Sequence, residues 1–276
     1  MNHEGMGQDA RIRPTGKSTS AGALGSNRVP PTHLGHHGVM RLENIVWDSP
    51  TPRALGHFWA AALGADVMTE DDEGLEARLH LGPDVFLDLC FPASSTPADV
   101  PQRLHLDLRG AGQQGAVVDR LVGLGARRVD IGQGEVPWVV LADPDGNAFC
   151  VMEDRPAYRD GSGPVAALPL DCADPDREAR FWAGVTGWVP TADPHALAHP
   201  SGVGPLLELC PEPGPRLGKS TLHLDVRPGP DDTAPLDLVR DLGGTVLPQP
   251  APGLPWTVCA DPSGNEVCLL GVAPPS

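Results

Sequence analysis

The segment Val136-Pro-Trp-Val-Val-Leu-Ala-Asp-Pro-Asp-Gly-Asn-Ala-Phe-Cys150 returns as Leu254-Pro-Trp-Thr-Val-Cys-Ala-Asp-Pro-Ser-Gly-Asn-Glu-Val-Cys268. Upstream of the first copy stands Arg103-Leu-His-Leu-Asp-Leu108, and upstream of the second stands Thr221-Leu-His-Leu-Asp-Val226. His105 and His223, Trp138 and Trp256, and Cys150 and Cys268 are each 118 positions apart. The chain is therefore an internal duplication. Within each copy, Asp-Pro-x-Gly-Asn carries hairpin chemistry: proline fixes φ, and Gly and Asn accept positive φ.

Working outward, Arg41–Val46 reads as a strand, and Thr51-Pro52 supplies a hydroxyl N-cap with proline at the first helical position. Leu55, Phe58, Trp59, Ala62 and Leu63 recur at helical spacing and define one buried face, closed by Gly64. Asp174-Pro175, Phe181, Trp182, Val185 and Gly187 repeat that helix. Strands are expected at Val67–Thr69, Leu75–Leu81, Val85–Phe91 and Leu104–Arg109. A helix through Val117, Leu121 and Leu124 follows, with strands at Arg127–Asp130, Val136–Ala142 and Ala148–Glu153. Each repeat thus holds two βαβββ units, giving four in all: 41–91, 103–154, 164–210 and 219–271. The fold class is α+β. The expected layout is a disordered leader over 1–40, one domain over 41–155, a Gly/Pro linker over 156–163 and a second domain over 164–272. The leader carries His33, His36 and His37, which read as incidental. Met40, just before the first patterned residue, is a candidate alternative start. Whether each domain closes its own sheet or exchanges units with the other is left open by the strand pattern.

Composition narrows the function classes. A formal charge of −16 argues against a nucleic-acid groove, which needs clustered Lys and Arg. Acidity reads either as solubility or as attraction of a cationic ligand. Six cysteines without a CxxC pair suit buried, reduced thiols in a cytoplasmic protein. Neither an apolar run of spanning length nor a signal core is present. The expected partner is a small molecule, with the chain a monomer or homodimer.

These units, with the Phe-Trp helix, the Leu87-Asp-Leu-Cys-Phe91 strand, the His-Leu-Asp strands and the Pro-Trp…Asp-Pro-x-Gly-Asn hairpins, resemble the vicinal-oxygen-chelate superfamily. That superfamily includes glyoxalase I, bleomycin-resistance proteins and extradiol dioxygenases. The closer likeness is to the actinobacterial glyoxalase-like domain group, and it covers about residues 41–271. The resemblance implies a cup-shaped sheet built by two units. In catalytic members it also implies a divalent ion held by residues of the first strand, the fourth strand, the opening of the second unit and the last strand.

Carried over residue by residue, the first strand offers Asn44 and Ala167, with Glu43 as a neighbour if the alignment slips. The fourth offers Asp88 and Glu208, with Cys90 as the alternative. The second unit opens with His105 and His223, and the last strand offers Cys150 and Cys268 where a glutamate is expected. The candidate catalytic residues are His105, His223, Asp88 and Glu208, and the candidate metal set is His105, Asp88 and Cys150. Asn44, Trp138, Trp256, Asp107 and Asp225 are candidate ligand-binding residues. Asp107 lies two residues beyond His105 and faces the same side of a strand. Histidine, carboxylate and sulfur suit zinc better than ions that prefer hard oxygen. The bland alternative is a hydrogen-bonded core histidine with small core cysteines.

Trp138 and Trp256 either wall a pocket or plug the end of the barrel. Asp143, Gly146, Asn147, Asp261, Gly264 and Asn265 read as turn formers. Two functions stay open: a lyase, isomerase or dioxygenase with an atypical metal site, and a metal-free, small-molecule-sequestering protein of the bleomycin-resistance type. In a third, one domain kept a site, the one with Asn44 being favoured.

Overall fold

The computed structural model describes residues 40–95, 101–158, 161–214 and 218–271. The leader and its histidine cluster lie outside the described residues.

Four units follow in order. The first contains β1 (Arg41–Trp47), α1 (Pro52–Leu63), β2 (Asp66–Glu70), β3 (Gly74–His80) and β4 (Phe86–Pro92). The second contains β5 (Asp107–Arg109), α2 (Gln114–Leu124), β6 (Arg127–Arg128), β7 (Val139–Ala142) and β8 (Ala148–Met152). A 3-10 turn at Pro156–Tyr158 leads into the third, with β9 (Val165–Cys172), α3 (Pro175–Thr186), β10 (Val189–Pro190), β11 (Ala196–Ala198) and β12 (Leu206–Pro211). The fourth has β13 (Leu222–Arg227), α4 (Pro235–Asp241), β14 (Thr245–Val246), β15 (Trp256–Ala260) and β16 (Glu266–Leu270).

Two eight-stranded sheets result, and they settle the pairing of units. Sheet I runs β14-β15-β16-β13-β1-β4-β3-β2, and sheet II runs β10-β11-β12-β9-β5-β8-β7-β6. The first unit joins the fourth through antiparallel β1 and β13, and the second joins the third through β5 and β9. Each sheet therefore draws half its strands from either repeat. β5 is shorter than its counterpart β13 because it faces Pro169, which has no N–H to give the ladder. Only the reverse bond forms, from the His105 N–H to the Pro169 carbonyl.

Alternation along the strands sorts the side chains. Leu87, Leu89 and Phe91 are buried, whereas Phe86, Asp88 and Cys90 on the other face are half-buried. The apolar faces of both sheets and the helices share one core, in which Trp47 stacks on Phe91 at 5.0 Å and Trp59 meets Phe149 edge-on at 5.0 Å. The opposite face of sheet I is left for chemistry.

The expected turn residues act as such. Asp143 accepts from the N–H groups of Asp145 and Asn147, and its other oxygen accepts from Trp59 Nε1 at 3.1 Å. The two helix starts have diverged. Asp174 caps α3 through the Arg177 N–H at 3.1 Å, but Thr51 makes no cap bond to α1. Its hydroxyl instead donates to Asp145 Oδ1 at 2.5 Å, tying the first unit to the turn of the second. Asp174→Ala is accordingly expected to cost about 1 kcal/mol, measurable by urea unfolding. The mechanism behind Thr51→Ala would be the lost tie, not a lost cap.

Candidate functional site

On the concave face of sheet I the strand register sets side chains in rows. Asn44 of β1 pairs with Asp88 of β4 on one side and Asp225 of β13 on the other, and Asp225 pairs with Cys268 of β16. One step along, Val46 pairs with Cys90 and with His223. The result is a cluster in which donor atoms of His223, Asp225 and Cys268 all lie within 4.8 Å of one another.

The electrostatics of this cluster follow from its burial. Asp225 is 5% exposed, and burial raises its carboxyl to about 7 despite stabilising hydrogen bonds from Asn44 and the Cys268 thiol. Asn44 Nδ2 donates to Asp225 Oδ2 at 3.0 Å, while Asp225 Oδ1 has no hydrogen-bond partner. Burial, helped by Lys219, lowers His223 to about 3, so its imidazole is neutral and offers a lone pair. Its Nε2 stands 3.5 Å from Asp225 Oδ1, and its Nδ1 is unpartnered. Burial raises the Cys268 thiol well above its usual range. Two orphaned polar atoms in one buried cluster call for an explanation.

This cluster opens onto a cavity of about 680 Å³. Trp256 forms part of its wall and is 38% exposed. Lys219 lines it and pairs with Asp48, and Arg227 lines it and pairs with Glu43 at 2.5 Å.

Sheet II holds the duplicate cluster, His105, Asp107 and Cys150, with donor atoms again within 4.8 Å. Asp107 is pushed up to about 7 by burial and then by Glu208, and its Oδ1 is also unpartnered. Burial lowers His105. Here Ala167 stands opposite Asp107 where Asn44 stands opposite Asp225. The space in front is taken by Tyr158, 3% exposed, which packs with Cys150, Met152, Ala166 and Ala167. Its hydroxyl donates to Glu208 Oε1 at 2.8 Å, and Arg155 lies over its ring and that of Trp138. The chain's single tyrosine thus fills the second cup from within.

Several expected groupings change accordingly. The set His105, Asp88 and Cys150 is not assembled, because β4 belongs to sheet I while β5 and β8 belong to sheet II. Asp88 is held instead by Arg78 in a bidentate pair, both bonds 2.7 Å. Glu208 stands near His105's cluster and not near His223's, and Tyr158 occupies it. Asn44 serves the histidine of the other repeat, so the better-equipped site belongs to neither repeat alone. The two tryptophans also part: Trp256 walls a cavity, while Trp138 bonds Gln133 and packs beside Tyr158. Tyr158 lies in a stretch that reads as a spacer; its being the only tyrosine was the one available signal.

The glyoxalase-like domain family model matches residues 44–152 and 167–270. The chain belongs to that family. The match spans both repeats, so this is a tandem member of the vicinal-oxygen-chelate superfamily. Among solved structures, glyoxalase I from Zea mays is similar at 17% identity and a TM-score of 0.56, covering 84% of this chain and 92% of that one. A putative dioxygenase from Bacillus subtilis aligns at 16% identity and a TM-score of 0.54, covering 86% and 87%. At that identity these neighbours show the fold alone. No curated protein matches the chain. Among the described residues, no helix of this family member is long and apolar enough to cross a membrane.

The superfamily's divalent ion can be tested against the donors present. A neutral imidazole, a carboxylate and a thiolate supply nitrogen, oxygen and sulfur in the combination zinc accepts. Two anionic ligands against a doubly charged ion leave the buried cluster neutral, which removes the cost of burying either charge alone. The unpartnered Asp225 Oδ1 and the neutral His223 are the groups an ion would use. The residues fit.

Proposed function

We propose that the protein is a metal-dependent enzyme acting on a small oxygenated molecule in the cup of sheet I, with His223, Asp225 and Cys268 as ligands. The observation that carries this reading is the orphaned Asp225 Oδ1 beside a neutral His223, at the floor of a cavity large enough for a metabolite. A zinc-type ion there supplies Lewis-acid polarisation of a substrate oxygen. Asn44 orients Asp225 by holding its Oδ2, leaving Oδ1 for the ion. The low-lying His223 remains a lone-pair donor throughout the neutral range. Trp256 and the apolar part of the wall exclude water from one side of a bound molecule. A sulfur-containing donor set without redox demand favours lyase or isomerase chemistry over oxygen activation. The second cluster has the same donors, but Tyr158 occupies its substrate space, so any ion there is structural.

Zinc titration by calorimetry in buffers of different ionisation enthalpy tests this reading. At pH 6, binding in the first cup is expected to release close to two protons, one from the Cys268 thiol and one from the raised Asp225 carboxyl. Above pH 8 the release should approach one. Turnover of small hydroxycarbonyl compounds by the loaded protein, lost in His223→Ala, would confirm the enzyme. Absence of saturable zinc binding would sink the proposal.

A further inference from the structure

The hairpin joining β2 to β3 divides its acids between two environments. On the helix side, Glu70 and Asp72 share a cation: Arg53 bonds Asp72 at 2.6 Å and stands 3.9 Å from Glu70. On the cavity side, Glu73 and Glu76 have no ion-pair partner among the described residues. Glu76 stands opposite Cys90 on the sheet, in the cross-strand row that ends at His223 three strands away. The nearby Arg78 is already committed to Asp88. Both cations that line the cavity are likewise committed, Lys219 to Asp48 and Arg227 to Glu43. The cavity lining therefore carries more acids than cations, with the exposed Glu73 and Glu76 left without a paired cation, which attracts positive charge toward the opening. Independently of that charge, Asp225 is buried, lines the same cavity and keeps one oxygen unpartnered. Trp256 offers an exposed aromatic face, a surface suited to a cation or a flat ring.

We propose that the cup of sheet I selects a cationic, amine-bearing small molecule, its charge held by Glu73 and Glu76 and its flat or apolar part against Trp256. This rests on the reading of that cup as the reaction site and adds the class of molecule it accepts. Acidity that could serve solubility alone becomes selective where it lines a cavity in excess of the cations there.

The test uses the full chain, stripped of metal with chelator and again loaded with zinc, titrated with benzylamine, benzyl alcohol and benzoate while Trp fluorescence and heat are followed. Benzylamine should bind at least about tenfold more tightly than either of the others, a difference of one opposite charge pair. Added salt should weaken it. Glu73→Gln with Glu76→Gln should erase the preference, and Trp256→Ala should weaken all three probes. Both glutamates are exposed, so unfolding does not cloud the result, and the melting temperature checks this. Equal or tighter binding of benzoate, an unchanged preference in the double variant, or no saturable binding of any probe would overturn the inference. Amine preference in a protein that takes up no zinc would uphold it and refute the metal reading alone.

Discussion

Cys268→Ser removes the stabilisation that zinc gives through the first cup, whereas Cys150→Ser leaves that contribution in place. The expected size is large. An ion bound a thousandfold above its dissociation constant adds about 4 kcal/mol to the folded state. Replacing the sulfur ligand leaves His223 and Asp225 with a hydroxyl that holds its proton, and the affinity should fall at least about 100-fold. Differential scanning calorimetry with and without zinc reads this directly. The asymmetry between the two cysteines arises because Asn44 fixes Asp225, whereas Ala167 provides no such partner for Asp107. A zinc-dependent shift of the same size in the wild type and in Cys268→Ser would contradict the assignment of the first cup.

The second large effect concerns stability and not binding. Glu178 on α3 is completely buried, in the position where Leu55 stands on α1, four residues before the helix tryptophan. Burial, followed by repulsion from Asp261, raises its carboxyl to about 8. A carboxyl raised in the folded state binds more protons there than in the unfolded chain, so stability falls as pH rises. The fall begins near the ordinary carboxylate range and ends near pH 8. Asp225 and Asp107, each near 7, add to the same slope in metal-free protein. The lowered histidines oppose it only below their ordinary value of about 6.5, where the unfolded chain gains protons that the folded one refuses. Chelator-treated protein should therefore be more stable at pH 5.5 than at pH 8.5. Glu178→Gln should gain on the order of 3 kcal/mol at pH 8.5 and little at pH 5, flattening the profile above pH 6.5. Urea midpoints at the two pH values check this, and an equal shift at both would refute the buried-carboxyl account.

The fold was legible because its signals are local and repeated. Proline at helix starts, paired Phe-Trp on one helical face and Asp-Pro-x-Gly-Asn turns each specify geometry over a few residues. Duplication shows each of them twice. Asp143 and Asp261 read correctly as turn residues for the same reason. The site was legible only in part. His105 with Asp107 and His223 with Asp225 follow from strand alternation, and Cys150 and Cys268 from their place on the last strand. Which first and fourth strands join which histidine is a long-range matter, since identical strand patterns serve either pairing. Asn44 and Asp88 were therefore grouped with His105, and the sheets put both with His223 instead. Inequality of the two sites was among the readings the sequence allowed, but its cause escaped, because Tyr158 acts through a linker whose composition announces only a turn. Thr51 has the right residue type for a cap, yet its hydroxyl serves a carboxylate from another unit. Partners distant in sequence decide each of these cases.

Cobalt substitution followed by absorption spectroscopy shows whether His223, Asp225 and Cys268 together hold a divalent ion. Cobalt bound at this cluster must show a thiolate-to-metal charge-transfer band in the near ultraviolet, together with visible bands of a low-coordinate ion. The part of the charge-transfer band due to the first cup should disappear in Cys268→Ser. The visible bands of that cup should disappear in His223→Ala, and both should persist in Cys150→Ser. A spectrum that shows no thiolate band, or one that is unchanged by Cys268→Ser, would contradict that assignment.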